Sequence, residues 1–296
     1  MSVFKDKNIK PMLLHEENKP FDDEDYLFEM KFDGIRALIY VSPKEIIIKN
    51  RKGFVVNDTF PELLEIQKNI KKECIFDGEI VLMQDDKPSF SKLQERALLK
   101  NNKKIEYFRD NFPVTFVCFD ILYENKDLMN LPLIRRKEIL SKYDDNNLFV
   151  KSRVVDTKGK ELFKFIQKND LEGIVAKLKT SEYIPGVRTK EWIKIKNVHM
   201  EDFYICGYKD GEDVISVLLG EKVGKKYTFV SKVVVGKKIK DYELIKSCSE
   251  CKNYLGVDFK EYKFIKPKYK CTIEFLERTN SNHLRHPVFR GIRTDL

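Results

Sequence analysis

Lys31-Phe32-Asp33-Gly34-Ile35-Arg36 is the stretch on which the reading of this chain turns. It follows Tyr26-Leu27-Phe28-Glu29-Met30, a run with strand character, and bends the backbone at Asp33-Gly34. Side chains on a strand alternate between faces, so Tyr26, Phe28, Met30 and Phe32 share one face and Leu27, Glu29 and Lys31 the other. The aromatic face is expected to be buried. An ammonium at the end of such a strand, with Arg36 just past the turn, meets both desolvation and a like charge, which push a lysine pKa below its free value of about 10.4. That is how a lysine becomes a nucleophile. A lysine snorkelling from an edge strand beside an ordinary Asp-Gly hairpin has the same local sequence, so the hexapeptide alone does not separate the two readings.

Other segments present charge in the same unusual way. In Ile75-Phe76-Asp77-Gly78-Glu79-Ile80, Asp77 and Glu79 lie two apart on one strand face, around a glycine that permits a close approach to the backbone. Acids within an apolar strand are costly unless paired or bound to a metal. Leu171-Glu172-Gly173-Ile174-Val175-Ala176-Lys177 again sets an acid before a glycine. Two such carboxylates brought together make a hard-oxygen site for Mg²⁺. Trp192-Ile193-Lys194-Ile195-Lys196 puts Lys194 and Lys196 on one face, a pair suited to a phosphate. Each piece, taken singly, is also an ordinary hairpin end or a solvated strand face.

The chain has 296 residues, 42% of them hydrophobic, and a formal charge of +9 from 56 basic and 47 acidic side chains. That length favours two domains, and that charge suits a polyanionic partner. No run of about 18 apolar residues is present to cross a bilayer, and Met1 to Lys10 lacks the apolar centre of a signal peptide. A soluble, cytoplasmic protein without a membrane partner is expected. The six cysteines are dispersed except for Cys248-Ser-Glu-Cys251, which finds no second pair to complete a zinc site, so free thiols are expected.

Along the chain, helices are expected from Thr59, as a cap, through Ile70, and over 89–99, 133–143 and 158–169, with strands over 74–83, 114–122, 173–178 and 191–196. Beyond residue 199 the pattern changes to short strands, 203–208, 214–219, 227–235 and 269–277, interrupted by one helical stretch at 241–254. Short strands with a single helix suggest a small Greek-key barrel, foremost the oligonucleotide-binding fold.

In their order, these pieces resemble the covalent nucleotidyltransferases: DNA ligases, RNA ligases and messenger-RNA capping enzymes. Lys31 to Arg36 matches the nucleophile motif K-x-D-G-x-R; Asn50-Arg51-Lys52-Gly53, Asp77-Gly78-Glu79, Phe116-Val117-Cys118-Phe119-Asp120, Glu172 to Lys177 and Lys194-Ile195-Lys196 resemble the motifs that follow. Ser89 to Arg96, Leu131-Pro132-Leu133-Ile134-Arg135-Arg136 and Leu284 to Arg293 are similar to ATP-dependent DNA ligases of the short bacterial and viral type, especially the ligase module of bacterial end-joining enzymes. The resemblance implies an α+β fold: a nucleotidyltransferase domain of ATP-grasp-like antiparallel sheets with helices over 1–199, then an all-β oligonucleotide-binding (OB-fold) barrel over 200–296. Only 30 residues precede Lys31, too few for the nicotinamide-binding domain of NAD-dependent ligases, so ATP is the expected cofactor, with Mg²⁺ or Mn²⁺.

The resemblance further implies that Lys31 carries AMP to the 5′-phosphate of nicked double-stranded DNA, read without regard to sequence. Glu29 and Phe119 would hold the adenine, with Val175 covering the ring; Arg36 and Glu79 would contact ribose and phosphate. Glu79 and Glu172 would bind the cation, and Lys194 and Lys196 the α-phosphate. Arg51 and Arg188 would grip the nick. Lys177 is set aside, since strand parity puts it opposite Glu172. The family's closing R-x-D-K is here Arg293-Thr294-Asp295-Leu296, leaving Arg293 and Asp295 for pyrophosphate alignment without the lysine. Lys225-Lys226 and Lys237-Lys238 are candidate phosphate contacts on the barrel. The expected state is a monomer near the nucleoid, with a DNA end-binding protein as a partner to test for. An RNA ligase, a capping guanylyltransferase and a non-catalytic OB-fold nucleic-acid-binding protein are the alternatives.

Overall fold

A computed structural model of the protein describes residues 2–84, 87–237, 240–279 and 281–293. Contacts divide the chain into two units, Met1–Asn197 and Val198–Leu296.

The first unit contains strands β1 (Leu13–Glu17), β2 (Tyr26–Met30), β3 (Ile35–Val41), β4 (Ile46–Asn50), β5 (Cys74–Gln84), β6 (Lys87–Pro88), β7 (Val114–Glu124), β8 (Phe149–Lys151), β9 (Val154–Asp156), β10 (Gly173–Leu178) and β11 (Arg188–Lys196). Helix α1 (Val3–Asp6) precedes them, and α2 (Phe90–Ala97), α3 (Asn102–Asn111), α4 (Leu133–Leu140) and α5 (Gly159–Lys168) lie between them. One sheet runs β1-β11-β10-β2-β9 and the other β4-β3-β5-β7-β8, with β6 beside β5. The β1/β11 and β7/β8 pairs are parallel, so the sheets are mixed rather than antiparallel as expected. Both parallel pairs join strands separated by long connections, which hairpins cannot supply.

Alternation along β2 and β3 shows how the sheets pack. Phe28 joins Ile174, Ala176 and Ile195 under Phe163 and Ile166 of α5, the outer layer of the first sheet. Leu27 turns the other way and meets Leu38, Tyr40 and Ile75 of the second sheet, together with Met12 and Trp192. Ala37, Ile39 and Val41 line the second sheet's opposite face with Phe76, Leu63 and Ile66. Burial of each Val, Leu, Ile, Phe or Met side chain among them contributes roughly 1.5–3 kcal/mol. The sheets thus clasp one another, and the face bearing Glu29 and Lys31 points into the clasp; the charged face is covered as well as the aromatic one.

Several elements differ from expectation. Residues Pro61–Asn69 form a 3-10 helix capped at Phe60, not an α-helix capped at Thr59. The reason is inward: Glu62 is drawn to the fully buried Arg96, whose guanidinium nitrogens lie 2.6 and 2.5 Å from its oxygens. Helix α3 was not anticipated, and the helix α6 (Asp241–Lys246) stops well short of Tyr254.

The second unit holds α6 and β12 (His199–Asp210), β13 (Val214–Val223), β14 (Lys226–Gly236), β15 (Lys263–Phe264), β16 (Lys270–Phe275) and β17 (Val288–Arg293). The order is β14-β13-β12-β16-β17, antiparallel, with β15 also on β12. Register shifts at Leu219/Gly220 and Thr272/Ile273 curl the sheet around Phe203, Val217, Val230 and Ile273. Among the described residues no ladder joins β17 to β14, so this OB fold is an open sheet, not the closed barrel expected. Curling, with Ile245 of α6 and Leu284 packed against the sheet, covers its apolar face.

Candidate active site

Between the sheets of the first unit lies a cavity of about 210 Å³. Glu29, Lys31, Arg36, Arg51, Glu79, Phe119, Val175, Arg188 and Lys194 line it, together with Leu13, Leu14, Met30, Phe32, Lys177 and Trp192. Nine of the residues singled out from sequence therefore converge from distant segments. Glu172 joins through Lys31 and Lys196 through Glu16. Arg293 belongs to the second unit, where it pairs with Asp202 at 2.9 Å. Asp295 lies outside the described residues, as does Lys238.

Lys31 stands just past β2, its backbone N–H donating to Gly173 O at 2.9 Å. The glycine is needed on its other flank, where a Cβ would lie 2.3 Å from Ile195 O of β11. Lys31 Nζ is 2.7 Å from Glu172 Oε1. Its charged neighbour is thus a carboxylate, whereas Arg36, expected to crowd it, is turned to Asp77 through bonds of 3.0 and 2.6 Å. Asp77 is fully buried and also accepts from Tyr183 Oη at 2.7 Å, so it anchors Arg36 while Glu79, two residues on, faces the cavity. Glu79 sits opposite Arg36 in the β3/β5 ladder. Burial pushes its carboxyl up to about 8; Lys31 and Arg36 oppose this, Glu172 and Asp77 add to it. The close approach expected at Gly78 is made by Phe116, whose Cζ would lie 2.4 Å from an added Cβ.

Phe119 owes its position to a bulge. Asp77 pairs with Asp120 and Gly78 with Cys118, leaving Phe119 as the extra residue of β7, aimed at the cavity. Its ring centroid is 4.3 Å from Lys177 Nζ and 5.0 Å from Arg36 Cζ.

Lys177 corrects the parity argument. β10 begins at Gly173, whose φ of +154° breaks the alternation, so Glu172 and Lys177 both reach the inner side. Lys177 Nζ lies 3.1 Å from Glu29 and 4.4 Å from the Trp192 ring. Desolvation pushes it down to about 8 against the pull of Glu29. Glu29 is almost wholly buried and also pairs with Lys137 of α4. Burial pushes Glu29 up, but the two lysines outweigh it and leave it below its ordinary value.

Lys194 and Lys196 share a face as expected, and a carboxylate missed in the sequence bridges them: Glu16, at 2.8 and 2.9 Å. Burial raises Glu16, yet the two ammoniums hold it at about 2. Arg51 and Arg188 are exposed, and Arg188 donates to Leu14 O. Lys137 was also missed, although it directly follows the quoted Leu131–Arg136 stretch. Arg136 and Asp120, both fully buried, form a two-pronged pair at 2.9 Å each. An acid inside the apolar run Phe116–Leu122 was the available signal.

Among the described residues no three His, Cys, Asp or Glu side chains gather as a metal cage. Glu79 and Glu172 nonetheless fit a hard divalent cation: their mutual repulsion helps raise Glu79, and Mg²⁺ commonly takes one or two carboxylates, completing its shell with water and phosphate.

A family profile described as ATP dependent DNA ligase domain matches residues 11–196, and one described as ATP dependent DNA ligase C terminal region matches 210–296. The SPbeta prophage-derived DNA ligase-like protein LigB of Bacillus subtilis (strain 168) is 29% identical over 291 residues, covering 96% of this chain and 99% of that protein. The multifunctional non-homologous end joining protein LigD of Mycolicibacterium smegmatis is 26% identical over 98% of this chain, which spans 39% of that protein. Among solved structures, mycobacterial DNA ligase D complexed with ATP and MES has a TM-score of 0.60 at 23% identity, covering 98% of this chain and 96% of that one. A Lig E DNA ligase has a TM-score of 0.65 at 15% identity, covering 96% and 99%. Both structures share the fold.

Proposed function

The chain belongs to the ATP-dependent DNA ligase family, and from that premise we propose how its pocket forms a phosphodiester bond. It is a DNA ligase that uses ATP. Lys31 Nζ attacks the α-phosphorus of ATP, forming a P–N bond as the bond to pyrophosphate breaks. The AMP then passes to the 5′-phosphate at a nick in duplex DNA, freeing the amine, and the 3′-hydroxyl displaces AMP to close the strand. Attack needs the uncharged amine, so the ion pair of Lys31 with Glu172 opens or passes its proton on before the first step. All three reactions are phosphoryl transfers, in which positioning and charge neutralisation supply most of the acceleration.

The observation that carries this reading is the convergence of Lys31, Glu79, Phe119, Val175 and Lys194 on one cavity. Phe119 and Val175 bracket the adenine, Glu29 holds its edge, and Arg36 with Glu79 takes the ribose and adjoining phosphate. Lys194 and Lys196 neutralise the α-phosphate. Arg51 and Arg188, exposed at the cavity, grip the nick's 5′-phosphate, a task suited to a forked guanidinium. Glu79 and Glu172 would hold Mg²⁺ or Mn²⁺, which supplies charge neutralisation at the phosphates. In the second unit, Arg293 aligns pyrophosphate; the same role for Asp295 falls outside the described residues.

DNA contacts through Lys225 and Lys226 read no sequence and weaken with salt. The enzyme acts as a monomer in the cytoplasm, at the nucleoid, and a DNA end-binding protein would deliver broken ends. Among the described residues no helix is long and apolar enough to cross a membrane.

The test is incubation with α-labelled ATP and Mg²⁺, peptide mapping of the adduct, then addition of nicked DNA. Label on Lys31 that is chased by the nick is expected. An adduct elsewhere, or none, sinks the mechanism; a covalent GMP adduct or a preference for nicked RNA would move the substrate assignment.

A further inference from the structure

Glu16 has no part in this scheme, yet it grips both lysines assigned to the α-phosphate. Its Oε2 lies 2.8 Å from Lys194 Nζ and its Oε1 2.9 Å from Lys196 Nζ. Register accounts for this: the ladder shifts between Leu14 and His15, and Glu16 then falls beside Lys194 in the parallel β1/β11 pair. Its neighbours His15 and Glu17 contact each other, 3.2 Å apart, so Glu16 alone of the three turns to the lysines. A carboxylate and a phosphate offer an ammonium the same kind of charge-assisted acceptor.

We propose that Glu16 is a specificity-determining residue that stands in for a phosphate oxygen at Lys194 and Lys196, so that an anion enters only by displacing it. The inference rests on reading those lysines as ligands of the nucleotide's phosphate. Displacement then filters by what else an anion brings. Inorganic phosphate or sulfate has only these two ammoniums to gain, against a carboxylate tethered beside them. ATP adds base, ribose and further phosphate contacts, and prevails. At rest the carboxylate also keeps two adjacent ammoniums from facing each other uncompensated.

Self-adenylylation kinetics of the full chain test the idea with Glu16→Gln and Glu16→Asp. Gln keeps the shape and removes the charge. Its KM for ATP should fall about 2- to 10-fold, the worth of two partly exposed ion pairs. Inhibition by inorganic phosphate or sulfate, at fixed ionic strength, should set in at a concentration lower by a similar factor. Asp, whose shorter arm reaches one lysine at a time, should fall between, and it carries the test if Gln does not fold. An unchanged or raised KM in the charge-removed variant, with phosphate inhibition unmoved, overturns the proposal and leaves Glu16 a strut that orients the lysines. Lys194→Ala tells the two failures apart. If it raises KM while Glu16→Gln does not lower it, only the displacement is wrong; if it leaves KM unmoved, the phosphate reading falls and the proposal with it.

Discussion

The first unit buries charge in two different ways. Away from the cavity, Glu62–Arg96 and Asp120–Arg136 are closed pairs, each a carboxylate matched by a forked guanidinium through two bonds. In and beside the cavity Arg36–Asp77 is a closed pair too, but the other charges do not all cancel one to one. Glu29 has two lysines, Glu79 is raised to about 8, and the exposed Glu16 beside the cavity has two lysines. A saturated buried pair holds architecture together; an unbalanced cluster retains capacity for a ligand, and shifted titrations cluster at such places.

The sharpest way to break this comparison is to remove one member from each group. Lys31→Ala should abolish self-adenylylation and sealing of an unadenylylated nick, while a pre-adenylylated nick is still closed to some extent and Tm barely moves. Wild-type activity in that variant would mean a different nucleophile. Arg96→Leu should do the reverse. Leaving Glu62 buried without its partner costs about 3–5 kcal/mol of stability in urea titration, with little change in turnover per folded molecule. A loss of turnover at unchanged stability would erase the distinction.

Glu79 gives a subtler test through pH. Its folded value, about 8, is above the ordinary 4.5, so the folded state holds a proton that the unfolded chain gives up first. The stability this provides is fully present below about pH 4.5 and is lost as pH rises through 8. Glu79→Gln removes that dependence. The variant should therefore gain on the wild type between pH 5 and pH 8 by on the order of 1–2 kcal/mol, the partial exposure of the group screening the rest. Parallel denaturation curves at the two pH values would refute the burial argument. Least of all should come from Arg135→Ala on the surface of α4, where an exposed pair with Glu138 at 2.8 Å is cut and no measurable change in Tm is expected.

Local patterns made much of this arrangement legible. The alternation over Tyr26–Lys31 set Glu29 and Lys31 on one face, and both line the cavity. Strands around Glu79, Val175 and Lys194 were readable because apolar runs interrupted by charge need either a partner or a ligand. Three things were not readable, two because a distant segment decides them and one because of a local backbone angle. Glu16 acquires meaning only through a register with residues far along the chain. Lys177 was discounted by strict parity, which a glycine with an unusual backbone angle overrides. Closure of the second unit depends on whether its edge strands meet, which alternation within each strand does not encode.

The parallel pairing of β1 with β11 also has a consequence for synthesis. One wall of the cavity, with Leu13 and Leu14, is made at the very start of the unit, and the strand it lies against, with Trp192 and Lys194, at its end. A nascent chain still tethered to the ribosome short of residue 196 lacks that wall's support, so the ability to take up adenylate arrives in one step, late in translation, and not by degrees.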